Sequence, residues 1–209
     1  MIETIKHRTL GVTFEITQMT ALHALDLQGP ALKRRVAMID AASKGDELSA
    51  MMAVLGDDDD DNASDDATLS DDPLLKNVTV NGQAPDFDTL FAGRYVELAS
   101  LYNEVIDANY GFLFSGKKMF FGPTDPQGNP VEDNEPVPAA MQRAHKQFSQ
   151  PQIVYSVLMS DKGLATRYEL QTIYNLEDLY ALYELTAYER EAADIYRKKA
   201  LAEQERQRK

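Results

Sequence analysis

The chain has 209 residues, enough for one large domain or two small ones with apolar cores of their own. It contains no cysteine, which excludes disulfides, thiolate metal sites and a cysteine nucleophile. Its formal net charge is −13, and nine aspartates between Asp57 and Asp72 account for most of it, so the acidity belongs to one segment rather than to a folded acidic face.

Taken in order, Val12, Phe14 and Ile16 alternate with polar residues, as in a half-buried strand. Residues 2–8 are the expected partner strand, with Thr9 to Gly11 at the turn. Thr20 can cap a helix carrying Leu22, Leu25 and Leu27. Gly29-Pro30 is expected to end it and open a second helix with Val36, Met38 and Ile39. A third apolar piece runs from Leu48 to Leu55. The acidic stretch over residues 56–73 has too few apolar side chains to pack, and its self-repulsion predicts a disordered loop. Read as a calcium loop from Asp57, its sixth and twelfth positions are Asn62 and Thr68 instead of Gly and Glu, so the match fails.

Val78 to Val80 followed by Asn81-Gly82 predicts a short strand and a tight turn. Asp86 or Asp88 can cap a long central helix from there to Phe114, with Gly93 tolerated inside it. Gly122, Pro123, Pro126, Gly128, Pro130, Pro136 and Pro138 leave no regular element between Lys117 and Pro138. A short helix is expected over residues 139–148.

The tail starts with Ser149 and Gln152 as a capping box, with Pro151 in the first turn of a helix carrying Ile153 to Leu158 and Gly163 as its stop. Thr166 and Glu169 form a second capping box, opening a helix expected to bury Tyr168, Leu170 and Ile173. Asn175 is a good N-cap for a third helix, whose stripe of Leu176, Leu179, Tyr180, Tyr183 and Ala187 gives way to a charged end from Arg190. Seven of the ten tyrosines fall in this last quarter. Tyr168, Tyr174, Tyr180, Tyr183, Tyr188 and Tyr196 are candidate protein-binding residues, because tyrosine joins an apolar ring to a polar tip. Arg197, Lys198 and Lys199 join them on a charged arm expected to order on a partner.

Signatures of chemistry are missing. His7, His23 and His145 have no metal-ligand spacing, and there is no HExxH, GxSxG, Walker A or GxGxxG sequence. A non-enzymatic protein without cofactors is expected. With no basic patch interleaved with aromatics, nucleic acid is not an expected partner. MIETIKHRTL has no apolar h-region, and no run approaches the roughly 18 apolar residues of a membrane span, which points to a cytosolic protein.

The order of hairpin, TFEITQMTALHALDLQ, long apolar helix, variable acidic and proline-rich stretches and charged helical tail resembles the tail assembly chaperones of long-tailed bacteriophages, the lambda-like G and G–T type. The segments LATRYEL and LEDLY are similar to helical pieces of phage tail-gene products. The resemblance implies binding to the tape measure protein, recruitment of tail tube subunits, action in the host cytoplasm and absence from the finished virion. It transfers no catalytic residues. The alternative is a virion component: a tail, connector or baseplate subunit. Homo-oligomerisation is compatible with both.

The expected architecture is α+β and mostly helical. A hairpin packs on a helical bundle over residues 1–116, followed by a linker over 117–138. A small three-helix module with a charged tail helix then covers 139–209.

Overall fold

The computed structural model describes residues 1–44, 47–55, 68–116, 119, 122, 143, 147–149 and 151–207. The fold is α+β and mostly helical, with a three-stranded antiparallel sheet ordered β1-β2-β3 near the N-terminus. Strands β1 (Thr4–Thr9) and β2 (Val12–Thr17) form the expected hairpin. Its two-residue turn puts Leu10 and Gly11 at φ 53° and 76°, the double left-handed geometry of tight hairpins. The alternation is realised: Phe14 and Ile16 are fully buried. Asn81-Gly82 turns the same way, at φ 52° and 76°, closed by Val80–Gln83 backbone bonds of 2.8 and 3.1 Å. Strand β3 (Val78–Thr79) pairs with β2 through Ile16↔Val78 and Glu15↔Thr79.

Two helix expectations need correction. Gly29-Pro30 does not end one helix and open another, because α1 runs unbroken over Ala21–Lys44 with Pro30 inside it. A proline in a helix interior costs about 3 kcal/mol. Here Ala24, Ala31, Met38 and Ala41 are all buried on either side of it, so the helical phase of the apolar stripe survives the proline and offsets that cost. Val36 and Ile39, by contrast, are exposed. Gly93 does break the central segment, which forms a short α3 (Phe87–Leu90) and then α4 (Tyr95–Tyr110). Gly93 sits at φ 68°, where a side chain would be strained. The break comes where Phe87 and Phe91 turn inward; the Phe91 ring lies 5.8 Å from Phe14 and 6.4 Å from Phe87. Asp86 is the N-cap, accepting the Thr89 N–H at 3.1 Å and its hydroxyl at 2.7 Å, which holds the Asp86 carboxyl below its ordinary pKa.

The chain forms two compact units. The first comprises Met1–Lys117 with Leu170–Glu177, the second Lys118–Glu169 with Asp178–Lys209. In the first, α4 packs on the sheet, on α1 and on α2 (Glu47–Leu55), burying Leu98, Leu101, Tyr102, Val105, Ile106 and Tyr110. Residues 170–177, placed by sequence in the tail, are tied to the front. Ile2 N–H donates to the Ile173 carbonyl at 3.2 Å and Ala21 N–H to the Tyr174 carbonyl at 2.7 Å.

The acidic stretch also needs correction at its end. Residues 56–67 lie outside the described residues, but residues 68–73 are built into the first unit. Leu69–Asp71 is a 3-10 turn whose N–H groups at Leu69 and Ser70 donate to Asp88, at 2.9 and 3.4 Å. Asp72 is clasped by Arg34 and Tyr102. The expected linker over 117–138 and helix over 139–148 lie outside the described residues, apart from isolated positions. Among the described residues, no helix is long and apolar enough to cross a membrane.

The chain turns from β2 into α1 at Met19, whose buried N–H donates to Asn109 Oδ1 at 2.6 Å, while Asn109 Nδ2 donates to the Val105 carbonyl at 2.8 Å. Asn109→Ala leaves that N–H without an acceptor in the core and is expected to destabilise the protein by about 2 kcal/mol. Urea unfolding checks this, with a lower midpoint and an unchanged slope.

Candidate protein-binding surface

In the second unit, α5 covers Gln152–Leu158. It starts two residues after the expected capping box: Pro151, not Ser149, is the N-cap residue, and no side chain caps it. Val154, Ser156 and Val157 are buried, which forces Tyr155 and, just past the helix, Met159 outward. The exposed Phe148 ring meets Tyr155 edge-on at 5.0 Å. Gly163 is left-handed at φ 59°, but it closes a turn on Ser160 instead of ending α5, which stops at Leu158.

The Thr166–Glu169 capping box is present in full. Glu169 N–H donates to the Thr166 hydroxyl oxygen at 3.2 Å, and Thr166 N–H and hydroxyl donate to Glu169 Oε2 at 2.7 and 2.8 Å. These bonds, the backbone one foremost, hold the Glu169 carboxyl below its ordinary pKa. Helix α6 (Arg167–Thr172) buries Leu170 but not Tyr168, which is 70% exposed, nor Ile173. Tyr168 lies about 200° around the helix from Leu170, and Ile173 falls just past its end, so the expected burial of all three is corrected to Leu170 alone.

The long helix α7 spans Leu176–Gln207, 32 residues and about 48 Å. Asn175 precedes it as expected, and its side-chain amide donates to Gln18 Oε1 at 2.9 Å and the Met1 carbonyl at 3.2 Å. Leu176, Leu179 and Thr186 are buried, Tyr180 and Tyr183 are half-buried, and Tyr188 and Tyr196 are exposed. Tyr174 is half-buried and belongs to the first unit through its carbonyl. The candidate tyrosines therefore do not form one face. Arg197 lies 3.1 Å from Asp194 one turn back, and Lys198 and Lys199 are exposed.

Tyr188 borders an open groove of about 670 Å³ that also involves Tyr155, Met159, Lys162, Glu189 and Arg190. The groove offers two phenol rings, a thioether and charges of both signs. Those groups suit an apolar side chain flanked by polar contacts, and the flexible methionine lets the surface adapt. Phe148, Tyr155 and Met159 were missing from the sequence-derived candidates. The readable signal was the i, i+4 spacing of Tyr155 and Met159 opposite Val154 and Val157.

The first unit has its own cleft, about 460 Å³, bordered by Leu27, Pro30, Arg34, Leu69, Asp72 and Tyr95. At its base Arg34 pairs with Asp72 and lies 4.7 Å above the Tyr102 ring, while the Tyr102 hydroxyl donates to Asp72 at 2.6 Å. The charges of Arg34 and Asp72 are spent on one another, so the cluster anchors residues 68–73. Burial, and after it the Asp72 charge, pushes the Tyr102 phenol far above its ordinary pKa; burial does the same for Tyr110, which donates to the Ala24 carbonyl at 2.8 Å.

Comparison with protein-family models, with curated proteins and with solved structures finds no match to this chain.

Thr166→Val removes the cap acceptor and one donor. The Glu169 carboxyl is expected to return towards its ordinary pKa, read by NMR titration of the carboxyl carbons. Tyr102 and Tyr110 keep their protons more tightly when folded than when unfolded. Their contribution is complete below about pH 10, the ordinary tyrosine pKa, and declines as pH rises above it because the unfolded chain ionises first. Stability measured by urea from about pH 9 to about pH 12 is expected to fall, and Tyr102→Phe or Tyr110→Phe to flatten that fall.

Proposed function

We propose that this chain is a non-enzymatic, protein-binding chaperone of phage tail assembly, holding the tape measure protein and recruiting tail tube subunits in the host cytoplasm. The observation that carries the binding part is the exposed apolar group around the α5–α7 groove. Phe148, Tyr155, Met159 and Tyr188 are 46–63% exposed, and the second unit leaves them outside its core. An apolar face of a long tape measure helix is a fitting occupant: its side chains enter as helix-in-groove anchors, and the charges of Lys162, Glu189 and Arg190 set their orientation. The assignment to phage tails rests on the resemblance of the segment order and of LATRYEL and LEDLY.

Co-expression with a candidate tape measure protein is the test. The wild type is expected to raise that partner's soluble yield several-fold. Tyr155→Asp with Met159→Asp, which changes exposed side chains only, is expected to remove the effect. Unchanged solubility with the wild type would falsify the chaperone reading. Finding the chain by mass spectrometry in purified virions would identify it as a structural component instead.

A further inference from the structure

Helix α7 carries a second row, apolar apart from Lys199, that shares Tyr188 and Ala192 with the groove and runs on beyond it. Leu185, Tyr188, Ala192, Ile195, Lys199 and Ala202 recur at alternating spacings of three and four, the pattern of a coiled-coil seam. At 100° per residue this row lies well away from the side of α7 that buries Leu179 and Thr186. Leu185 and Ile195 are 51% and 55% exposed, and Tyr196 beside them is 71% exposed.

Charge decides what covers the row. From Asp178 to Asp194 the helix carries five carboxylates and one cation, Arg190. From Arg197 to Arg206 the order reverses, with Arg197, Lys198, Lys199 and Arg206 against Glu203 and Glu205. We infer that the row is covered by α7 of a second copy of this chain, running antiparallel. Summed over each half, that direction lays the acidic half on the basic half, whereas a parallel pair lays the acidic half on itself, with Glu184 facing Glu189 of the other helix, and only Lys198 there faces an opposite charge, Glu203.

One antiparallel register also matches side-chain size. Leu185 meets Ala202, Ala192 meets Ile195, and the stem of Lys199 crosses the Tyr188 ring, each pairing occurring twice by symmetry. The flanking Glu191 then faces Lys198, and Glu184 faces Glu205, the one like pair of this register. The seam shares Tyr188 and Ala192 with the groove, but Leu185 and Ile195 do not border it, so a change at Ile195 tests the dimer apart from the groove.

The test is sedimentation equilibrium of the full chain. The wild type is expected to be dimeric at micromolar concentration, and Ile195→Asp to weaken the dimer at least tenfold with unchanged helical circular dichroism. Glu191→Lys and Lys198→Glu are each expected to weaken it, and the two together to restore it, since only the antiparallel register pairs those positions. The chain has no cysteine, so Ala181→Cys admits a single spin label. By helical rise, antiparallel copies place the two labels about 40 Å apart, whereas parallel copies bring them within about 20 Å. A monomeric wild type, no rescue by the charge swap, or the short label distance would each overturn the proposal.

Discussion

The first unit depends on how the buried corner between β2 and α1 satisfies its polar groups. A chain leaving a sheet for a helix gives up ladder partners before helical ones are available, and in a core the free groups must be met by side chains. Three amides do this. Asn109 takes the Met19 N–H, and Gln18 reaches the Ala108 carbonyl at 2.7 Å while accepting the Glu3 N–H at 3.0 Å. Asn175 in turn donates to Gln18. The corner thus joins the sheet, the end of α4 and residues 173–175 through side chains able to donate and accept at once. An apolar residue at any of the three positions would strand at least one partner, which is worse than losing the bond itself.

Local chemistry was legible in the sequence wherever neighbouring residues decide the outcome. The β2 alternation, the Asn81-Gly82 turn, the Asp86 cap and the Thr166–Glu169 box all involve residues within a few positions of each other. What failed was settled at long range. Pro30 and Gly93 are both helix breakers locally, yet only Gly93 breaks its helix. The apolar stripe stays in phase across Pro30, whereas at Gly93 the Phe91 ring must turn towards Phe14. Asp72 reads as one more aspartate in a solvated run; its partners Arg34 and Tyr102 lie far away on α1 and α4. The surface follows the same rule. Tyr188 stands out in the sequence, whereas Tyr155 reads as part of an apolar run and Met159 lies just past it; only the burial of Val154 and Val157 decides which side of α5 is left open.

The two units differ in how they spend their aromatic residues. In the first, Phe14, Phe91, Tyr102 and Tyr110 are wholly interior, and both phenols have acceptors. In the second, Tyr155, Tyr168, Tyr188 and Tyr196 are exposed, and the last turns of α7 bury almost nothing. An exposed helix end with little of its own to pack against keeps its length through strong helix formers such as Ala, Glu, Lys, Arg and Gln, which prevail after Arg190. Such a helix presents surface at low cost to the core.

The bonds from Ile2 to Ile173 and from Ala21 to Tyr174 also impose an order of events on the ribosome. The hairpin and α1 are made first, but the acceptors that complete them arrive only after α2, β3, α3, α4 and α5. Until Tyr174 emerges from the exit tunnel, the nascent front unit has its main core elements but an open flank. Its final closure therefore waits for residues 173 and 174, and a message cut short before those codons would yield a front unit without these two bonds.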